Sequence, residues 1–129
     1  MIPLVFDENL STRSVEDAFS ALGMYGRFGD YFTRGMSDEA ILEKVGASGI
    51  CLVTRDKGFY RQAKNIPAIV RYKARAIFID KIGNKRSVDV IEDLIIAYPI
   101  FQKFAEKHPA PFSARYSPVT RRIEAARLA

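Results

Sequence analysis

Three aspartates fall where an apolar run ends or a helix is set to begin. Asp7 follows Ile2-Pro3-Leu4-Val5-Phe6, Asp38 follows Gly35-Met36-Ser37, and Asp56 lies two residues beyond Ile50-Cys51-Leu52-Val53-Thr54. In an open α/β sheet, side chains just past the carboxyl ends of parallel strands gather along one crevice, where such folds bind ligands. Carboxylates crowded there repel one another unless a hard cation holds them, and an oxygen-only donor set suits Mg2+ or Mn2+. The chemistry expected is phosphate chemistry at a divalent ion. Plainer roles exist for each acid. Asp7 also suits a loop acid or a cap for the next helix, and an acid after Ser37 stabilises a helix N-terminus by ~0.3–1 kcal/mol without catalysing anything. Glu39 is a rival to Asp38 for the same duty.

Other chemistries fail on composition. The chain has one histidine, His108, and one cysteine, Cys51, among 129 residues. A zinc site would need carboxylates for most of its ligands, and a two-histidine acid and base pair cannot be built in a monomer. No nucleophile elbow serves His108, which lies beside Pro109. There is no Gly-rich phosphate loop followed by Lys-Ser or Lys-Thr, and no Gly-x-Gly-x-x-Gly after a strand. Cys51 sits inside an apolar run and reads as a buried strand residue.

Short apolar segments supply the strands that would position the acids. Residues 2–6, 50–54 and 75–80 lack alternation and read as strands buried on both faces. Ser14 opens a helix with Val15, Ala18, Phe19 and Leu22 at helical spacing, ended by Gly23 and Gly26. Arg27 to Phe32 suits a short strand. Ser37 is an N-cap for a helix through Ile41, Leu42 and Val45, stopped by Gly46 and Gly49. Residues 57–65 predict a short helix ending before Pro67, and Ser87 a long amphipathic helix kinked or divided at Pro99. Pro109, Pro111 and Pro118 leave residues 109–129 as an edge strand or a mobile tail. Strands alternating with helices predict an α/β fold with a mostly parallel sheet covered on both faces, in one domain spanning residues 1–129.

The local sequences around the acids resemble the PIN-domain superfamily, in particular its small PIN-like branch. Asp7-Glu8-Asn9-Leu10 after a short strand, Ser37-Asp38-Glu39-Ala40-Ile41-Leu42, and Val53-Thr54-Arg55-Asp56-Lys57-Gly58-Phe59 occur in the right order over about the first sixty residues. The resemblance implies a three-layer α/β/α fold and a metal-dependent ribonuclease site, often that of a bacterial toxin. It implies Asp7 and Asp56 as metal ligands, Asp38 as the middle acid with Glu39 as the neighbouring choice, and Thr54 as a positioning residue. Relatives often carry another aspartate where this chain has Gly58. Glu8, Asn9, Asp80 or waters would take that ligand position.

A basic stretch bears on the substrate. Residues 55–75 hold Arg55, Lys57, Arg61, Lys64, Arg71, Lys73 and Arg75 against the single acid Asp56, a balance of +6 that exceeds the +5 of the whole chain. Phe59, Tyr60 and Tyr72 are interleaved, which suits a groove that tracks RNA and stacks unpaired bases; aromatics packed inward under a solvated surface suit it as well. Lys81, Lys85 and Arg86 extend the rim. The apolar run at residues 2–6, closed by Asp7 and Glu8, is too short for a signal peptide, and residues 94–101 are too short for a membrane span. A cytoplasmic protein with no membrane partner is expected. A toxin role would imply a cognate antitoxin covering the basic rim, and Tyr98, Phe101 and Phe104 suit a homodimer contact.

Two other classes fit part of the pattern. One is a catalytically degenerate PIN-like module that binds RNA or protein without turnover, consistent with Gly58. The other is a phosphoacceptor receiver domain, with Asp7-Glu8, Asp56 and Lys81 at strand ends; it lacks the strands between Asp56 and Lys81 that would supply the usual Thr or Ser.

Overall fold

The computed structural model describes residues 2–21, 26–56, 65–80, 87–126 and 128. Within them the elements run β1 (Leu4–Phe6), α1 (Arg13–Ala21), α2 (Phe28–Tyr31), α3 (Asp38–Ser48), β2 (Cys51–Thr54), α4 (Asn65–Tyr72), β3 (Arg75–Ile79), α5 (Ser87–Lys107), β4 (Phe112–Ser117) and β5 (Arg122–Ala125). The five strands form one sheet in the order β1-β2-β3-β4-β5. The first three pairings are parallel and the last is antiparallel. Every residue of β1 and β2 is buried, as the unbroken apolar runs require of strands covered on both faces.

Two cores flank the sheet and make three layers. On one face, Leu4, Phe6, Cys51, Val53, Ile77, Ile79, Phe112, Ala114 and Tyr116 meet α1 and α5 through Val15, Phe19, Leu94, Phe101 and Phe104. On the other, Val5 and Leu52 meet α2, α3 and α4 through Phe28, Leu42, Val45, Ala68 and Ile69. The alternation of Leu4 and Phe6 with Val5, and of Val53 with Leu52, is the period of two that turns successive side chains to opposite faces.

Several local expectations give way to packing. Arg27 to Phe32 contains the single helical turn α2, because Phe28 and Phe32, four residues apart, both enter the second core with ring centroids 5.4 Å apart. Helix α3 does not stop at Gly46. It runs to Ser48 and ends at Gly49, whose φ of 67° is the left-handed C-terminal conformation that glycine adopts without strain. Gly46 instead allows close contact: a Cβ there would lie 1.8 Å from the Tyr72 carbonyl oxygen. Pro67 is the third residue of α4, inside its first turn, where a missing N–H costs no intrahelical bond. Pro99 neither divides nor ends α5, which continues unbroken to Lys107 with the proline exposed and the apolar seam facing the sheet. The final segment forms two strands, β4 between β3 and β5, and β5 at the edge. The hairpin between them is closed by Arg121 N–H donating to the Ser117 carbonyl at 2.7 Å, with Arg121 at φ 57°.

Candidate functional site

The crevice is set by where the chain goes after each strand. From β1 it passes to α1 on one face; the next described helix after β2 is α4, on the other face. The carboxyl ends of adjacent parallel strands whose flanking helices lie on opposite faces are the usual ligand position in an open α/β sheet. Asp7 directly follows β1 and Asp56 lies two residues past β2.

A short polar chain joins them. Thr54, buried at the end of β2, donates its hydroxyl to Asp7 Oδ2 and accepts the Asp56 backbone N–H at 3.0 Å. The Leu10 N–H donates to Asp7 Oδ1 at 3.1 Å, and the Asp7 N–H donates to the Val53 carbonyl at 2.9 Å. The loop after β1 is fixed from below by Ser11, whose buried hydroxyl donates to the Phe6 carbonyl at 2.6 Å. From the side, Arg55 donates to the Asn9 carbonyl at 3.1 Å and ties the loop after β2 to the loop after β1.

Burial pushes the Asp7 carboxyl above its ordinary value of 3.8, chiefly because a charged carboxylate there loses its water. The Thr54 hydroxyl and the Leu10 and Asn9 amides act the other way, while the nearby charge of Asp56 raises it further. The two acids are thus close enough to repel. A cation between them would remove that cost.

Asp38 reaches the same end of the fold by a different route. Helices α3 and α4 each precede a parallel strand, so both run antiparallel to the sheet and start over its carboxyl edge. Ser37 caps α3 by accepting the Ala40 N–H at 3.2 Å. Asn65, buried at the start of α4, donates to Asp38 Oδ2 at 3.4 Å. A cavity of about 240 Å3 lies here, lined by Ser37, Asp38, Glu39, Asn65, Ala68 and Arg71 among others. Glu39 turns to other partners: its Oε1 accepts from Arg71 at 3.2 Å and from the Tyr72 hydroxyl at 3.1 Å. The two acids thus have different partners, with Glu39 joining α3 to α4 through Arg71 and Tyr72, and Asp38 held by Asn65.

Among the described residues no group of three or more His, Cys, Asp or Glu is arranged to hold a metal ion. Asp7 and Asp56 are brought together; the third carboxylate, Asp38, shares their edge of the sheet and is held by Asn65. Glu8 forms an exposed ion pair with Arg34 at 3.7 Å, and the Asn9 side chain is exposed. Asn65 and Ser11 carry no sequence signal that separates them from ordinary capping and turn residues.

The described members of the basic stretch do not share one surface. Arg55 lies at the crevice, Arg71 is engaged with Glu39, and Lys73 and Arg75 stand at the start of β3, the opposite edge of the sheet from the acids. Lys57, Gly58, Phe59, Tyr60, Arg61, Lys64, Lys81, Lys85 and Arg86 lie outside the described residues. Tyr98, Phe101 and Phe104 are buried in the first core, which leaves them no part in a contact between copies. No helix of the described residues is long and apolar enough to cross a membrane.

No curated protein and no solved structure matches the chain. A family model described as a PIN-like domain matches residues 3–81, a span that holds all three aspartates and most of the crevice. A mostly parallel sheet between two helical layers agrees with it. With more than half of its length matched, the chain belongs to the PIN-like domain family, a nuclease-type superfamily.

Proposed function

We propose that the protein is a metal-dependent endoribonuclease that hydrolyses single-stranded RNA at the Asp7–Asp56 crevice. The observation that carries this reading is the pair of carboxylates at adjacent parallel strand ends, linked through Thr54. The donor set fits Mg2+ or Mn2+: Asp7 and Asp56 offer only oxygen, and such ions bind through one or two carboxylates while retaining several waters. A bound ion would supply a water of lowered pKa and charge neutralisation at the scissile phosphate. Thr54 holds the Asp7 carboxylate in one orientation and fixes the backbone before Asp56. Asp38, steadied by Asn65, stands on the same edge as the third acid, suited to orienting a water or the substrate. Arg55, itself fixed to the Asn9 carbonyl, brings positive charge to the crevice mouth.

The test is cleavage of single-stranded RNA by purified protein with Mn2+ or Mg2+. Activity is expected to vanish with chelator and in Asp7→Asn and Asp56→Asn. Cleavage by both variants at the parental rate would assign the activity elsewhere. A toxin role, with an antitoxin that covers the site, belongs to the same proposal and is tested by growth arrest on expression.

A second reading, a PIN-like module that binds RNA or protein without turnover, is favoured by the lack of a three-ligand group among the described residues and by Gly58. Calorimetric titration with Mn2+ separates the two. Tight one-site binding lost in Asp7→Asn supports the nuclease, and RNA binding without metal binding supports the module.

A further inference from the structure

The β4–β5 hairpin carries a polar concavity that the crevice does not use. It has a volume of about 300 Å3 and is lined by Asp80, Arg115, Ser117, Thr120, Arg122 and Glu124. Its position follows from register. Tyr116 enters the core beneath α1 and α5, so Arg115 and Ser117, one residue to either side, point to the opposite face. Arg115 stands across from Glu124, and Ser117 across from Arg122, so all four share that face. Among the described residues none of β4 or β5 belongs to the core under α2, α3 and α4. Asp80 follows β3, and its N–H donates to the Tyr116 carbonyl at 2.8 Å. The concavity therefore opens at the carboxyl edge of the parallel strands, the edge that holds Asp7 and Asp56.

An ordinary explanation is a set of solvated cross-strand ion pairs, Arg115 with Glu124 above all. The structure does not form them. The guanidinium groups of Arg115 and Arg122 take no part in the ion pairs Arg34–Glu8 and Arg71–Glu39. Two planar guanidinium forks with two hydroxyls at a rim suit phosphodiester oxygens, which accept from Arg, Ser and Thr alike. The two carboxylates can accept from ribose hydroxyls, which distinguish RNA from DNA. Strand spacing puts β4 ~10 Å from β2, a distance spanned by about three nucleotides at duplex spacing.

We infer that the exposed face of the β4–β5 hairpin, through Arg115 and Arg122, is a second phosphodiester-binding site that holds single-stranded RNA a few nucleotides from the crevice. The inference rests on the ribonuclease reading of that crevice. It places RNA contacts in a part of the chain beyond the family match, and on a surface separate from the basic stretch at residues 55–75.

Fluorescence anisotropy with a labelled oligouridine, in chelator so that nothing is cut, tests it across a salt series. The Arg115→Gln/Arg122→Gln double variant is expected to bind about tenfold more weakly and to lose about 1.4 from the slope of log affinity against log salt, two contacts at about 0.7 each. Lys103→Gln/Lys107→Gln removes the same charge from exposed positions at the far end of α5, and is expected to stay within about twofold of the parent. Unfolding curves of both variants report whether the fold is intact. If the parent binds and both double variants bind as it does, or both weaken equally, this site is overturned while the nuclease reading stands. If the parent binds no RNA, the reading and the site fall together. RNA affinity unchanged in Arg115→Gln/Arg122→Gln alongside capture of an acidic protein would make the hairpin a protein contact and would equally overturn the inference.

Discussion

Asp7 is held where its own charge is unwelcome, and this fixes the sign of its effect on stability. Its folded-state pKa lies above 3.8, so as pH rises from that ordinary value the unfolded chain gives up the proton first. Stability falls across this interval and stays lower above it. Asp7→Asn removes the charge and keeps the shape. Its melting temperature at pH 7, without metal, is expected to exceed that of the parent by a few degrees, and the gap should close at a pH below the ordinary carboxylate range. Added Mn2+ should raise the melting point of the parent and leave the variant unmoved. A variant less stable than the parent at both pH values would show that the Thr54 contact outweighs the desolvation. Cys51 gives a second residue-scale expectation. Burial pushes its thiol far above the ordinary range, with Arg75 opposing only weakly, so thiol reagents should label it no faster than the protein unfolds. Asp7 and Asp56 were legible in the sequence because a strand end is visible as the end of an apolar run. Asn65 was not, because an asparagine before a helix looks the same whether it caps, turns or supports a distant carboxylate.

At the scale of elements, the contact between α3 and α4 organises one side of the site. Tyr72 lies along α3, its carbonyl against Gly46 and its hydroxyl on Glu39, while Asn65 meets Asp38 at the other end of α4. Any side chain at position 46 must push the two helices apart. Gly46→Ala is expected to cost about 3 kcal/mol, a drop in melting temperature on the order of 10 °C; a loss below ~1 kcal/mol would mean that the helices separate freely. The division of labour between the acids is tested in the same assay as the proposed activity. Asp38→Asn should lower cleavage by at least about a hundredfold, as expected for a positioned polar group near developing charge. Glu39→Gln should change it little and cost no more than about 0.5 kcal/mol of stability, since its ion pair is exposed. The three parallel strands at residues 4–6, 51–54 and 75–79 were legible, since a strand buried on both faces is an apolar run. The helix expected at residues 57–65 lies outside the described residues but for Asn65. Pro67 stands in the first turn of α4, where its missing N–H removes no intrahelical bond, and Pro99 lies inside α5 without dividing it, since the packed apolar seam outweighs the loss of one hydrogen bond.

For the whole molecule, the order of strands holds a feature that no local pattern predicts. From β2 to β3 and from β3 to β4 the chain steps in the same direction across the sheet, but α4 covers one face and α5 the other. The two crossovers therefore have opposite hands, and one departs from the right-handed rule. The chain beyond residue 81 is nonetheless part of the same body: β4 pairs with β3 over five residues, and Phe112, Ala114 and Tyr116 fill the core under α5. A chain ending at residue 111 is expected to lose cooperative unfolding, measured by circular dichroism, because Phe101 and Phe104 would lose their partners across the sheet. The borders of the sheet bear on how copies of the protein meet. At one, Gly26 bridges to Val5 so closely that a Cβ would lie 2.9 Å from its methyl group. At the other, β5 presents Arg122 and Glu124 to water. One flank is thus plugged by backbone and the other is studded with charge that resists strand addition. Crowded molecules should stay apart rather than zip into fibrils, and replacing both charged residues with valine should undo that protection.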